Sequence, residues 1–157
     1  MIWYVDDEPS DHVNFWEEVD DWMKSSFEIT VRDIKKLKSK MIDDFMDYWQ
    51  EGNGEGDIQI FENNKIQSTL LIEPSLELER IYLHYIDNMN GRDLLSVYDK
   101  NNLEETIEIG DEIYASAGLF LPLELAWSGI EEYVKTGRAS DQINWITPED
   151  VPENGNW

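Results

Sequence analysis

Residues 119–145 constrain the fold most, because they predict a helix with a defined beginning and end, followed by a strand. Apolar residues recur at intervals of three and four between positions 123 and 134, which is the spacing of one helical face. Pro122 suits the first helical turn, where no amide donor is needed, and Gly137 suits a left-handed helix stop. Residues 141–146 alternate like an edge strand. We therefore expect a helix that covers a sheet.

The middle of the chain has the alternation and the turn signals of an antiparallel meander. Asn90-Gly91 is a strong hairpin signal, and Pro74-Ser75 is expected to end a strand. The predicted strands are 58–61, 66–72, 78–86, 94–98, 106–109 and 113–115.

The N-terminal third predicts two further helices. One runs from Ser10 or Asp11 to about Lys24, and the other covers residues 31–50 after a brief strand at 27–29. The resulting fold is α+β: one domain over residues 1–157, with a mostly antiparallel sheet of five to seven strands and two to three helices packed against it.

Charge is the most informative bulk property, with 35 acidic against 12 basic residues and a net charge of −23. Such a field repels nucleic-acid phosphates and anionic lipid headgroups and attracts basic proteins. We therefore expect no direct binding to nucleic acid or membrane. The alternative is that the acidity serves solubility or adaptation to salt.

The acids are densest in residues 6–21, with eight acids and no lysine or arginine, and in residues 99–112, with six acids and one lysine. Either segment can attract a basic partner, although a solvated surface also explains such runs. The candidate partner-binding residues are Glu17, Glu18, Asp20, Asp21, Glu104, Glu105, Asp111 and Glu112.

The sequence nominates no catalytic residue, metal ligand or cofactor site. It has no cysteine, which excludes disulfides and thiol chemistry, and no triad can be built from its two histidines. His84 lies within a predicted strand, where a hydrogen-bonded structural histidine is expected. Residues 87–93 fail the ligand spacing of a calcium loop. We expect a cytoplasmic protein that is not an enzyme, with no secretory signal and no membrane helix.

The C-terminal part resembles the signature of one family of bacterial immunity proteins. The matching positions are Leu121-Pro122, Ala126, Tyr133, Thr136-Gly137-Arg138, Ile143 and Trp145, and Leu94-Leu95-Ser96-Val97 resembles a strand of that family. The chain departs from the pattern in its acidic N-terminal part and at Ala139-Ser140, where a proline is usual. Members are encoded beside polymorphic or contact-dependent toxins, including nucleic-acid deaminases, and each neutralises its own toxin.

The resemblance implies an immunity protein that binds a basic, nucleic-acid-acting toxin domain through complementary acidic surface. Two other classes stay open at this point. One is an acidic enzyme that acts on a cationic or sugar substrate, and the other is a phosphate-mimicking regulator of a nucleic-acid-binding protein. A neighbouring toxin gene would favour the first interpretation over both.

Overall fold

The computed structural model describes residues 2–5, 13–16, 28–31, 34–50, 56–62, 65–110 and 112–157. Its strands are β1 (Ile2–Val5), β2 (Val13–Trp16), β3 (Glu28–Val31), β4 (Gly56–Glu62), β5 (Lys65–Ser75), β6 (Arg80–Asp87), β7 (Arg92–Ser96), β8 (Thr106–Gly110), β9 (Ile113–Ser116), β10 (Leu121–Pro122) and β11 (Trp145–Ile146). Its helices are α1 (Ile34–Lys38), α2 (Phe45–Gln50) and α3 (Leu123–Thr136), and a π-helical turn, Ser39–Asp43, lies between α1 and α2.

Nine strands of the described residues form one sheet, in the order β11-β7-β6-β5-β4-β1-β2-β3, with β10 paired to β6. All of these pairs are antiparallel except β1 with β4. The outer edge of β6 is shared between β7 and β10. The buried Ser96 hydroxyl joins them, since it accepts from the Leu83 amide at 2.9 Å and donates to the Leu119 carbonyl at 3.0 Å.

The α+β class is confirmed, and the sheet is larger than the five to seven strands expected. Part of the difference arises at the N-terminus, where Val13–Trp16 is the strand β2 and not part of a helix. The strands β8 and β9, which were expected in the same meander, form a separate sheet. The strand β2 pairs with β1 on one side and β3 on the other, so its backbone is hydrogen-bonded along both edges. Valine and aromatic residues favour that setting. The rest of the helix predicted to end near Lys24 lies outside the described residues.

The helix predicted over residues 31–50 begins later and is interrupted. Val31 closes β3, α1 begins at Ile34, and the π-helical turn precedes α2. The Asp44 amide donates to the Ser39 carbonyl five residues back at 2.8 Å, which is the hydrogen bond that defines a π-helical turn. Five apolar residues of this segment are buried nonetheless: Leu37, Met41, Ile42, Phe45 and Trp49. The Trp49 indole donates to the Met41 carbonyl at 3.1 Å.

All three helices cover one face of the sheet. Their buried side chains pack with alternate residues of the central strands, including Ile58, Leu70, Ile72, Leu83 and Tyr85. The predicted central helix is confirmed as α3, and Gly137 ends it with a φ of 69°. Burial of this apolar face supplies most of the driving force that places the helix.

The opposite face is covered by the hairpin β8–β9, which forms a sheet of its own, and by the C-terminal residues. Tyr82, Leu95, Leu119, Phe120 and Ile146 are among the buried residues of this second core. The sheet is therefore covered on both sides around β6 and β7.

The turn signals are confirmed in one place and wrong in another. Gly91 adopts a φ of 62° in the turn between β6 and β7, where a left-handed residue is needed. Pro74 does not end its strand, because β5 continues to Ser75 with Pro74 opposite Ile81. Within the described residues, no helix combines the length and the apolar character required to cross a membrane.

Candidate functional site

The hairpin β8–β9 presents a surface that the alternation of its strands explains. Ile107 and Ile109 are half-buried and pack toward the second core, so Glu108, which lies between them, points outward. Glu108 is exposed and lies opposite Tyr114 of β9. One face of the hairpin is thus anchored to the protein and the other faces solvent.

The outer end of the hairpin carries two exposed apolar side chains beside carboxylates. Ile113 is 60% exposed and Tyr114 is 44% exposed. The backbone amide of Glu112, which has a φ of 67°, donates to Glu108 Oε1 at 3.1 Å. Protein interfaces combine an apolar centre with a polar rim, and this end of the hairpin carries both kinds of group.

The structure describes three of the eight predicted partner-binding residues. Glu104, Glu105 and Glu112 are exposed, as a binding role requires. The structure does not bring them all together, because β8 separates the first two from Glu112 by about 15 Å at 3.3 Å per residue. Glu17, Glu18, Asp20, Asp21 and Asp111 lie outside the described residues.

Sequence reasoning missed three residues of this surface: Glu108, Ile113 and Tyr114. The period-two pattern of residues 106–109 is the signal that could have identified Glu108, because alternation turns it away from Ile107 and Ile109. The exposure of Ile113 and Tyr114 had no comparable signal, because an apolar residue in a short strand is more often buried.

His84 corrects another expectation. It lies in a strand as predicted and is buried, but its Nε2 atom has no hydrogen-bond partner within the described residues. Nε2 lies 3.7 Å from Asp93 Oδ2, which is too long for a hydrogen bond. Burial lowers the pKa of His84, and the Asp93 carboxylate opposes that shift. A neutral imidazole is the form that this setting favours.

The polar residues from Asp87 to Asp93 form the turn between β6 and β7, and hydrogen bonds within that turn occupy the Asp87 carboxylate. Asp87 accepts hydrogen bonds from the Met89 and Asn90 amides, each at 3.0 Å, and from the Asn90 side chain at 2.7 Å. These hydrogen bonds, the Asn90 side chain first, lower the pKa of Asp87. In the described part of the chain, no group of three histidine, aspartate or glutamate side chains could hold a metal ion.

Comparison with known protein families, characterised proteins and solved structures finds no match to this chain.

Proposed function

We propose that this protein is an immunity-type inhibitor, which binds a basic toxin domain in the cytoplasm and blocks it without catalysing a reaction. The observation that carries the proposal is the outer end of the hairpin β8–β9. There Ile113 and Tyr114 are exposed beside the carboxylates of Glu108 and Glu112. The resemblance of residues 121–145 to immunity proteins supports the same conclusion.

The two parts of this surface would have separate roles in binding. Carboxylates on a chain of net charge −23 raise the rate at which a basic partner arrives. Apolar side chains that lose water at the centre of an interface determine how slowly the partner leaves. A toxin domain that acts on nucleic acid presents a cationic surface to phosphates, and this surface would complement the acids.

The first experiment is a pull-down with the protein encoded immediately upstream, followed by binding kinetics with the purified pair. We expect stable capture and an association rate that falls as salt rises. Absence of binding at low and at physiological salt would contradict the proposal for that partner.

Charge reversal then locates the interface. The variant E104K/E105K/E112K changes exposed carboxylates of the hairpin region. The matched control D43K/D44K/D47K changes the same charge at exposed positions near α2, on the other side of the sheet. We expect association to slow by roughly tenfold or more at low salt for the hairpin variant, and by much less for the control. Equal slowing would show that net charge, and not this surface, steers the partner.

Truncation of the apolar pair tests the centre of the interface. We expect Ile113→Ala and Tyr114→Ala each to raise the dissociation rate by about tenfold, the change that corresponds to 1.4 kcal/mol. Met89→Ala is the control, because Met89 is 61% exposed in the turn before β7. Dissociation rates equal to that of the control would place recognition elsewhere.

Nucleic acid provides the counter-test. Because the field of the chain opposes phosphates, we expect no detectable binding to duplex DNA or RNA near physiological salt. Micromolar affinity under those conditions would contradict a protein partner as the target of the acids.

A further inference from the structure

A second group of side chains on the sheet has features that the proposed function does not use. Tyr82 and His84 are alternate residues of β6 and therefore lie on the same face, away from the helices. Their rings are parallel, with centroids 6.5 Å apart. Asp93 of β7 lies beside them, with its carboxylate 3.7 Å from His84 Nε2.

Both aromatic side chains carry a buried polar atom without a partner. Tyr82 is 3% exposed and His84 is 8% exposed. Among the described residues, the Tyr82 hydroxyl and His84 Nε2 are the buried side-chain atoms that form no hydrogen bond. Folded proteins rarely leave such atoms unsatisfied, because a polar atom that loses water without gaining a partner destabilises the folded state. The Tyr82 hydroxyl and His84 Nε2 are therefore available, on one face of the sheet, to accept hydrogen bonds from a group outside the chain.

The electrostatic setting defines what kind of ligand fits. Burial raises the pKa of Tyr82, and the carboxylates of Glu73 and Asp93 raise it further. Burial lowers the pKa of His84. At neutral pH the site therefore holds a neutral phenol, a neutral imidazole and a nearby negative charge. Such a set attracts a cation with hydrogen-bond donors and repels an anion.

The Trp157 indole contacts the His84 ring. The two rings are perpendicular, with centroids 5.4 Å apart, and Trp157 is 48% exposed. The neighbouring Asn156 is held on β9, because its amide donates to Ser116 Oγ at 2.9 Å and its side chain donates to the Tyr114 carbonyl at 2.7 Å. Trp157 is therefore positioned by the hairpin.

Gly155 makes this approach possible. A Cβ atom at residue 155 would lie 2.5 Å from the Leu103 carbonyl oxygen and 2.8 Å from Ser116 Oγ. Real Cβ atoms do not approach backbone oxygens so closely, so only glycine lets the chain pass here. The position of Trp157 over His84 is consequently built into the fold.

We propose that Tyr82, His84, Asp93 and Trp157 bind a guanidinium group, as presented by an arginine side chain. The planar guanidinium has five donors in a fixed fork. It can donate to the Asp93 carboxylate, to the Tyr82 oxygen and to His84 Nε2 in the tautomer that carries its proton on Nδ1. Its face can stack on the Trp157 indole through a cation–π interaction. A lysine ammonium would reach fewer of these groups at once.

Asp93 and Trp157 are the more exposed members, so the cation would enter between them. Within the described residues, no lysine or arginine side chain forms an ion pair with Asp93. This site goes beyond the proposed function, because none of its residues belongs to the outer end of the hairpin and it is defined by the cation that it would bind. Its test needs no partner, so failure of one proposal is distinguishable from failure of the other.

The probe is N-acetyl-argininamide, added to the full chain and followed by NMR of the histidine side chains. The chain has two histidines, so His12 serves as an internal reference for His84. We expect a saturable shift of the His84 ring signals and no comparable shift for His12. N-acetyl-citrullinamide has a similar shape and no charge, and we expect no saturable response to it. An equal response to both compounds, or none to either, would overturn the proposal.

Variants separate a site from general attraction to an acidic protein. We expect Asp93→Asn and Tyr82→Phe each to weaken probe binding by about tenfold, the range for losing a charged hydrogen bond. Trp157→Leu should weaken it through loss of the cation–π contact. Asp43→Asn is the matched control, because it removes an exposed carboxylate on the helical side. If the control weakens binding as much as Asp93→Asn, the probe is only a counterion.

Discussion

Tyr133→Phe probes how the end of α3 is attached to the sheet. The Tyr133 side chain is fully buried, and its hydroxyl lies 2.9 Å from Ser68 Oγ and 3.3 Å from the Ile58 carbonyl oxygen. Ser68 in turn donates to the Gly137 carbonyl at 3.0 Å. Burial raises the pKa of Tyr133, so the hydroxyl keeps its proton. Because Ser68 donates to Gly137, the single proton of the Tyr133 hydroxyl is shared between Ser68 Oγ and the Ile58 carbonyl oxygen. These contacts join the helix end to β4 and β5.

The magnitude follows from the groups left without partners. Loss of the Tyr133 hydroxyl removes one partner from Ser68 and one from Ile58, which is expected to lower the free energy of unfolding by about 1–3 kcal/mol. Ser68→Ala should cost a similar amount, because it leaves the Gly137 carbonyl and Tyr133 incomplete. The double variant should cost less than the sum by about 0.5–1.5 kcal/mol, because both substitutions break the same contact.

The assay is equilibrium unfolding in guanidinium chloride, followed by tryptophan fluorescence for the four proteins of the cycle. Tyr98→Phe is the control, since Tyr98 is 50% exposed and Phe keeps the ring over which the Arg80 guanidinium lies. The control should stay within about 0.5 kcal/mol of the parent. Additive costs in the cycle, or a Tyr133→Phe variant as stable as the control, would refute the proposed attachment.

Three further outcomes are expected from the same assay. Trp127→Ala should cost about 3–5 kcal/mol, because this buried side chain fills the space between α3 and the sheet, and a cost below about 1 kcal/mol would contradict that packing. Gly129→Ala should cost about 1–3 kcal/mol, because its Cβ would lie 2.2 Å from Ile143 Cδ1; Ile143→Val removes that atom and should recover part of the loss. Burial in the folded state lowers the pKa of His84, so the unfolded chain binds more protons below about pH 6.5. The free energy of unfolding should therefore fall as the pH decreases through that region. His84→Gln should make this decrease less steep, and an unchanged slope would contradict a buried neutral imidazole.

Elements in which several local signals agree were predictable from the amino-acid sequence. For α3, Pro122, the apolar spacing and Gly137 all favour one helix, and the structure confirms it. The turn at Asn90-Gly91 is equally local, because only a few residue types adopt its left-handed backbone. The alternation of β4 to β7 also specified which side chains share a face.

The remaining features were decided by contacts between residues far apart in the chain. Val13–Trp16 is compatible with a helix or a strand, and the neighbouring strands β1 and β3 settle the choice by pairing with both of its edges. Pro74 stays in β5 because the register with β6 carries the strand past it.

The candidate sites depend on the same long-range contacts. Tyr114 is exposed because it lies opposite Glu108, on the face that points away from Ile107 and Ile109. Ile113 is exposed because it lies at the end of the hairpin, opposite Gly110. Trp157 meets His84 only because Asn156 pairs with β9, across 40 residues of sequence. Local propensity carries no information about such contacts, since their energy exists only after the chain has folded.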